Sequence, residues 1–257
     1  MINTTFKQLK LKNMNKFLQA LKDIRLSVFI LLMSLQAFGQ NVATIGSGTT
    51  ATTSTGSDPI DGYYASFRYQ VVYTAAELTA AGMSAGSSIS ALGFSISVDY
   101  GGGNLNGYTI KMGHTTATNS AAHDASTTST VKNAFSYNPS VTAAGAFDMI
   151  TLDASFVWNG TSNILIDICS SGPNAYTSPY GSVRTIAVFT TNGSRYVRSD
   201  SGGNQCGVNT STANSSKPQI SFTYTPPPAN PATPVQLGGT PTCTLGAQLG
   251  FTTTSVS

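Results

Sequence analysis

Charge is scarce in this chain of 257 residues: Asp, Glu, Lys and Arg together make up 9% of it, against about 25% in an ordinary globular protein. Histidine, tryptophan and cysteine are rarer still, with two, one and three copies. Each shortage narrows the chemistry. The three cysteines (Cys169, Cys206 and Cys243) form no CxxC pair, which removes zinc ribbons and dithiol redox motifs. His114 and His123 have no spacing that would place both on one metal, and a zinc site wants several N or S ligands. The longest apolar run, Leu26–Leu35, is ten residues, and about 20 are needed to span a bilayer as a helix.

That short run has its own meaning. Lys7, Lys10, Lys12, Lys16, Lys22 and Arg25 precede it, and Ala37-Phe38-Gly39 follows it with small residues at alternate positions. A basic stretch, an apolar core and a small-x-small exit are the pattern of a signal peptide. The expected leader is 1–39, with cleavage after Gly39; initiation at Met14 would give a more ordinary leader length. Its removal changes the electrostatics. The chain has 13 basic and 10 acidic side chains. Six of the bases and one acid, Asp23, lie in the leader, which leaves seven against nine and a charge of −2. No basic groove remains, so nucleic acid is excluded as a partner. No membrane span is expected after cleavage.

From Asn41 onward the apolar period is two. Phe67–Tyr73, Ile89–Val98 with a kink at Gly93, Tyr108–Met112, Val131–Tyr137, Phe147–Leu152, Ile164–Cys169, Val183–Thr190, Arg195–Arg198 and Gln219–Tyr224 read as strands. Gly101-Gly102-Gly103-Asn104, Asn159-Gly160, Ser171-Gly172-Pro173 and Gly202-Gly203 read as turns. Asn192-Gly193 predicts a tight hairpin between the runs that flank it. One short helix is expected, capped by Thr74 with Glu77 three residues on and closed at Gly82. The fold class is therefore all-β, an antiparallel β-sandwich of jelly-roll type over 40–224. Export places Cys169 and Cys206 where disulfides persist, and a bridge between them would contribute about 3–4 kcal/mol in the chain-entropy picture. Two separate thiols are the alternative.

Residues 225–234, Thr-Pro-Pro-Pro-Ala-Asn-Pro-Ala-Thr-Pro, form a semi-rigid spacer. The alternation of Leu245, Ala247, Leu249 and Phe251 beyond it predicts that 235–257 opens a second β domain, with the partner of Cys243 further on. Three segments carry a resemblance: Tyr73–Leu78 (YTAAEL), Tyr108–Thr115 (YTIKMGHT) and Phe156–Cys169 (FVWNGTSNILIDIC). They resemble a module found near the N-terminus of large secreted or surface proteins of the Bacteroidota, the bacteria that use type IX secretion. The likeness covers roughly Val42–Tyr224, and Gly239–Gly246 is similar to the opening of Ig-like repeats. It implies export, modular architecture and often a C-terminal sorting domain. It implies no activity for any named residue.

Several motifs reduce to ordinary structure. Gly82-Met83-Ser84-Ala85-Gly86 matches a nucleophile elbow, but that elbow needs a strand before and a helix after, and here the order is reversed. Asp148 and Asp153 are an odd number of residues apart, so a strand sends them to opposite faces and spoils them as a glycosidase pair. Asp167 shares a face with Cys169 and reads as solvated. Asp99–Asn106 and Asp58–Gly62 hold oxygen donors but too few for calcium. No catalytic residue, metal site or cofactor is expected. Tyr63, Tyr64 and Tyr100 sit in loops and, with Trp158, would make a sugar-stacking platform. The ordinary reading of a lone Trp at a strand start is a core plug with its N–H satisfied. The expected role is a non-enzymatic adhesion or spacer module, secreted or held at the outer cell surface, with a glycan or surface protein as partner. The alternative is an accessory module of a secreted hydrolase whose catalytic domain lies past Ser257.

Overall fold

The computed structural model describes Gln19 and residues 39–52, 57–60, 62–186, 191–201, 203–209 and 211–228. The rest of the expected leader, the spacer past Pro228, and 235–257 with Cys243 lie outside the described residues. The chain divides into compact units 1–40 and 41–257, and the strands belong to the second.

The strands are β1 (Asn41–Ile45), β2 (Ser66–Tyr73), β3 (Ser88–Phe94), β4 (Ile96–Tyr100), β5 (Leu105–Thr115), β6 (Ser129–Tyr137), β7 (Asp148–Val157), β8 (Asn163–Ser170), β9 (Tyr180–Val183), β10 (Ser194–Ser199), β11 (Thr212–Asn214) and β12 (Ile220–Thr225). One sheet has the order β1-β12-β3-β7 and the other β11-β10-β2-β8-β5-β6, with all pairs antiparallel. Setting β10 and β11 aside, the chain crosses from sheet to sheet at every step from β1 through β8 to β12, except at the β5–β6 hairpin. That winding is a jelly roll. A separate β4-β9 pair is inserted at one end.

Alternation fills the space between the sheets. Ala43, Ile45, Ile89, Leu92, Ile150, Leu152, Ile220 and Phe222 from the first sheet meet Phe67, Tyr69, Val71, Ile110, Met112, Ile164, Ile166 and Ile168 from the second. Tyr73 and Phe222 touch edge-to-face across the core, with centroids 6.1 Å apart. Buried phenols need partners. Tyr73 donates to the Pro218 carbonyl (2.9 Å), Tyr108 to Pro59 (2.8 Å) and Tyr224 to Gly82 (2.8 Å). The helix α1 (Ala75–Ala80) carries the expected capping box: Thr74 Oγ1 accepts from the Glu77 amide, and Glu77 accepts from the Thr74 amide. Lys217 holds the same carboxylate at 2.7 Å.

Two expectations need correction. The run 89–98 is two strands, broken at Ser95, whose carbonyl accepts from the Arg184 backbone amide (2.7 Å) where the chain leaves the first sheet. Asn192 adopts the left-handed conformation, φ +63°, and β10 pairs with β2 and β11; residues 187–190, which the expected hairpin would pair, lie outside the described residues. Asp167 is buried at 3% exposure, not solvated. Its face of the second sheet is roofed by the connections β5–β6 and β10–β11. Arg68 Nε donates to Asp167 Oδ1 at 2.9 Å, and Arg68 Nη1 donates to the Val208 carbonyl and Asn209 Oδ1, both at 3.0 Å. Gln70 Nε2 donates to Asp167 Oδ2 (3.0 Å) and the Asp124 carbonyl (3.1 Å). Beside them the Cys169–Cys206 disulfide ties β8 to the β10–β11 connection, with Cα atoms 5.3 Å apart, an ordinary span for a disulfide.

Asp167→Ala leaves the Arg68 guanidinium buried without its carboxylate, which costs about 3–5 kcal/mol. Urea unfolding is expected to show a loss of that size. A loss under about 1 kcal/mol would mark the pair as a solvent-screened one.

Candidate functional site

The sequence candidates fall at opposite ends of the sandwich. Trp158 directly follows β7 and is 1% exposed, its Nε1 donating to the Ser162 carbonyl at 2.7 Å. It is a core plug, not part of a platform. Tyr63, Tyr64 and Tyr100 lie at the other end, where β2 and β5 begin and β8 and β10 finish. Tyr100 is also withdrawn from the surface, at 3% exposure, with its hydroxyl on the Ala175 carbonyl. Glycine makes that burial possible: a Cβ on Gly62 would lie 2.1 Å from the Tyr100 ring, and one on Gly102 would lie 2.2 Å from its hydroxyl.

Tyr63 and Tyr64 are half-buried and keep company the sequence did not announce. Tyr63 lies 5.0 Å from Tyr64, 5.0 Å edge-on from Tyr176 and 4.7 Å edge-on from Tyr180, between ring centroids. Tyr176 stacks on Tyr180 at 5.1 Å with planes 27° apart. Arg198, near the end of β10, sets its guanidinium over Tyr64 (4.4 Å) and Tyr196 (4.7 Å), a cation–π bridge between two rings. Of the 11 tyrosines, six are buried: Tyr69, Tyr73, Tyr100, Tyr108, Tyr137 and Tyr224. The other five, Tyr63, Tyr64, Tyr176, Tyr180 and Tyr196, all belong to this one cluster.

Local sequence explains how they meet. Tyr63 and Tyr64 end the β1–β2 connection, which is pinned by the Gly62 amide on the Tyr180 carbonyl (2.8 Å). The turn 171–179 follows β8 and is held by Asn174, whose amide donates to the Ala65 carbonyl (2.9 Å). Its Oδ1 accepts from the Asn106 amide and the Ser170 hydroxyl. Tyr100 pairs with Tyr180 in the β4-β9 ladder. A cavity of about 420 Å³ lined by Tyr196, Val197, Arg198, Ser211 and Thr212 adjoins the rings. The Tyr63 phenol is held above its ordinary value, first by its hydrogen bond to Tyr176 and by that neighbour's charge; Asp200 adds to the rise and Arg198 opposes it. The cluster offers ring faces, hydroxyls and a balanced pair of charges.

The remaining sequence motifs are separated from it. Ser84 sits in the turn between α1 and β3, where its amide donates to Ser87 Oγ. Asp153 is exposed and bound by Lys132 (2.8 Å), while Asp148 accepts from the Tyr137 hydroxyl (2.8 Å). His114 accepts from the Asn159 amide. Among the described residues no group of three or more His, Cys, Asp and Glu is placed to hold a metal ion, and no helix is long and apolar enough to cross a membrane.

His123 and Asp124 sit on the roof over Asp167, and both resist protonation. Burial pushes the His123 imidazole below its ordinary 6.5, with Arg68 adding to the effect; Asp167 and Asp124 only partly oppose it. Burial raises the Asp124 carboxyl, but hydrogen bonds from Ser126 and Thr115 outweigh it, so its value falls below the ordinary 3.8. Each lowered value means that the unfolded chain takes up protons first, so acid favours unfolding. Stability is expected to fall from neutral pH as the medium passes below 6.5, and again as it passes below 3.8 towards the folded value of Asp124. In His123→Gln the first decline flattens, read as urea midpoints at neutral and mildly acidic pH. An unchanged profile would contradict the assignment.

No known protein family matches this sequence, and neither a curated protein nor a solved structure is similar to it.

Proposed function

We propose that this chain is an exported, non-enzymatic binding module of a larger cell-surface protein, and that it holds its partner at the tyrosine cluster. The observation that carries the reading is the gathering of every tyrosine that is not fully buried on two connections and two strands at one end of a jelly roll. Loops held by a rigid scaffold are where proteins place recognition residues. Tyrosine and arginine are among the side chains that most often anchor an interface, and tyrosine gives large contact area at low entropic cost.

Two further features support the compartment. The basic, apolar and small-x-small order of 1–39 is that of a leader. A disulfide across a 37-residue separation persists outside the cytosol and is reduced within it. The likeness to surface modules of the Bacteroidota agrees with both.

Beads coated with the purified protein, washed over immobilised mucin, collagen and plant or microbial polysaccharides, test the reading. Retention on at least one surface is expected, with loss in the Tyr63→Ala/Tyr176→Ala double variant at unchanged melting temperature. Trp158→Phe is expected to leave adhesion intact. Beads that adhere to none of the surfaces, or a double variant that adheres as well as the parent, would refute it.

A further inference from the structure

We infer that the tyrosine cluster is a carbohydrate site for an uncharged polysaccharide chain, with a sugar ring stacked on Tyr176; this rests on the binding-module reading and adds the class of ligand to it. The make-up of the patch separates sugar from protein. All five of its aromatic residues carry a hydroxyl, and neither a Phe nor a Trp is among them. A pyranose has the same mixture, an apolar C–H face rimmed by hydroxyl donors and acceptors. Protein docking instead centres on anchors that become fully desolvated. The large exposed aliphatics, Val42, Val98, Val141, Met149 and Val157, are scattered over β1, β4, β7 and the β6–β7 connection and add nothing to the ring cluster.

Tyr176 is the ring best placed to stack. It is 64% exposed, and the other four are half-buried. Tyr180 covers one of its faces, and Tyr63 meets it edge-on with planes 84° apart. The ring is thus fixed before any ligand arrives, which lowers the ordering cost of binding. Tyr64, clamped by Arg198 against Tyr196, extends the same surface and leaves room for more than one sugar unit.

Charge argues for a neutral polymer. Arg198 and Asp200 act on Tyr63 in opposite directions. No surplus of positive charge exists in 40–257, where seven bases face nine acids. An acidic polysaccharide would gain no steering from such a surface.

Affinity gel electrophoresis of the full chain tests the inference, with hydroxyethyl cellulose, xylan, galactomannan or the acidic polymer alginate cast in the gel. Retardation is expected in at least one neutral gel, without preference for alginate. Tyr176→Ala is expected to bind about tenfold more weakly or worse, while Tyr176→Phe, which keeps the ring, retains most of the affinity; both should melt as the parent does. Retardation by alginate alone, equal retardation of Tyr176→Ala, or no retardation in any neutral gel would overturn it. The bead assay then shows which reading has failed. Adhesion that survives periodate, which cleaves sugar diols, but is lost after protease treatment defeats the sugar and leaves the module. Adhesion to nothing defeats both.

Discussion

The ion pair between Arg68 and Asp167 is the constraint on which the cover over the second sheet depends. Two charges on what would otherwise be the wet face of an antiparallel sheet must either stay in water or be roofed by partners. Here they are roofed. The β10–β11 connection supplies the Val208 carbonyl and Asn209 to Arg68, and Gln70 bridges Asp167 to Asp124 on the β5–β6 connection. The Cys169–Cys206 disulfide closes the same roof covalently. It is worth about 4 kcal/mol if the loss of loop entropy in the unfolded chain is its main effect. An isolated buried pair is poor evidence of stability; one whose donors and acceptors are all met fixes register and position instead.

That roof bears on the tyrosine end. β10 lies between β2 and β11, and Arg198 projects from it over Tyr64 and Tyr196. The disulfide holds the connection that follows β10. A glycine-lined pocket for Tyr100 sets the neighbouring β4-β9 ladder, from which Tyr180 meets Tyr63 and Tyr176. Packing below thus sets the rings of this surface against one another.

Much of the fold was legible because period-two alternation in runs such as Phe67–Tyr73 and Ile164–Cys169 has one physical cause, burial of alternate side chains. The capping box at Thr74 and Glu77 was legible for a similar reason, since both bonds are local. Shorter edge pieces were not. β1 and β11 span five and three residues, too few to display a period. Asp167 was misjudged because alternation tells which side a residue takes and not whether that side is dry. Of the site, Tyr63 and Tyr64 were visible as loop aromatics. Tyr176 and Tyr180 carried a signal in the turn-rich Ser171–Tyr180 stretch, while Tyr196 and Arg198 read as an ordinary strand. Their meeting depends on crossings between sheets, which no local pattern encodes.

Peptide-resolved hydrogen exchange of the full chain, with the disulfide intact and then reduced, tests the central claim that the roof is a covering layer fixed on a self-sufficient sandwich. Faster exchange concentrated in 203–209 and the adjoining end of β10 is the expected result, with β2, β5 and β8 still protected after reduction, by about 4 kcal/mol less than before it. Collapse of protection across all three strands, or no change near Cys206, would contradict it.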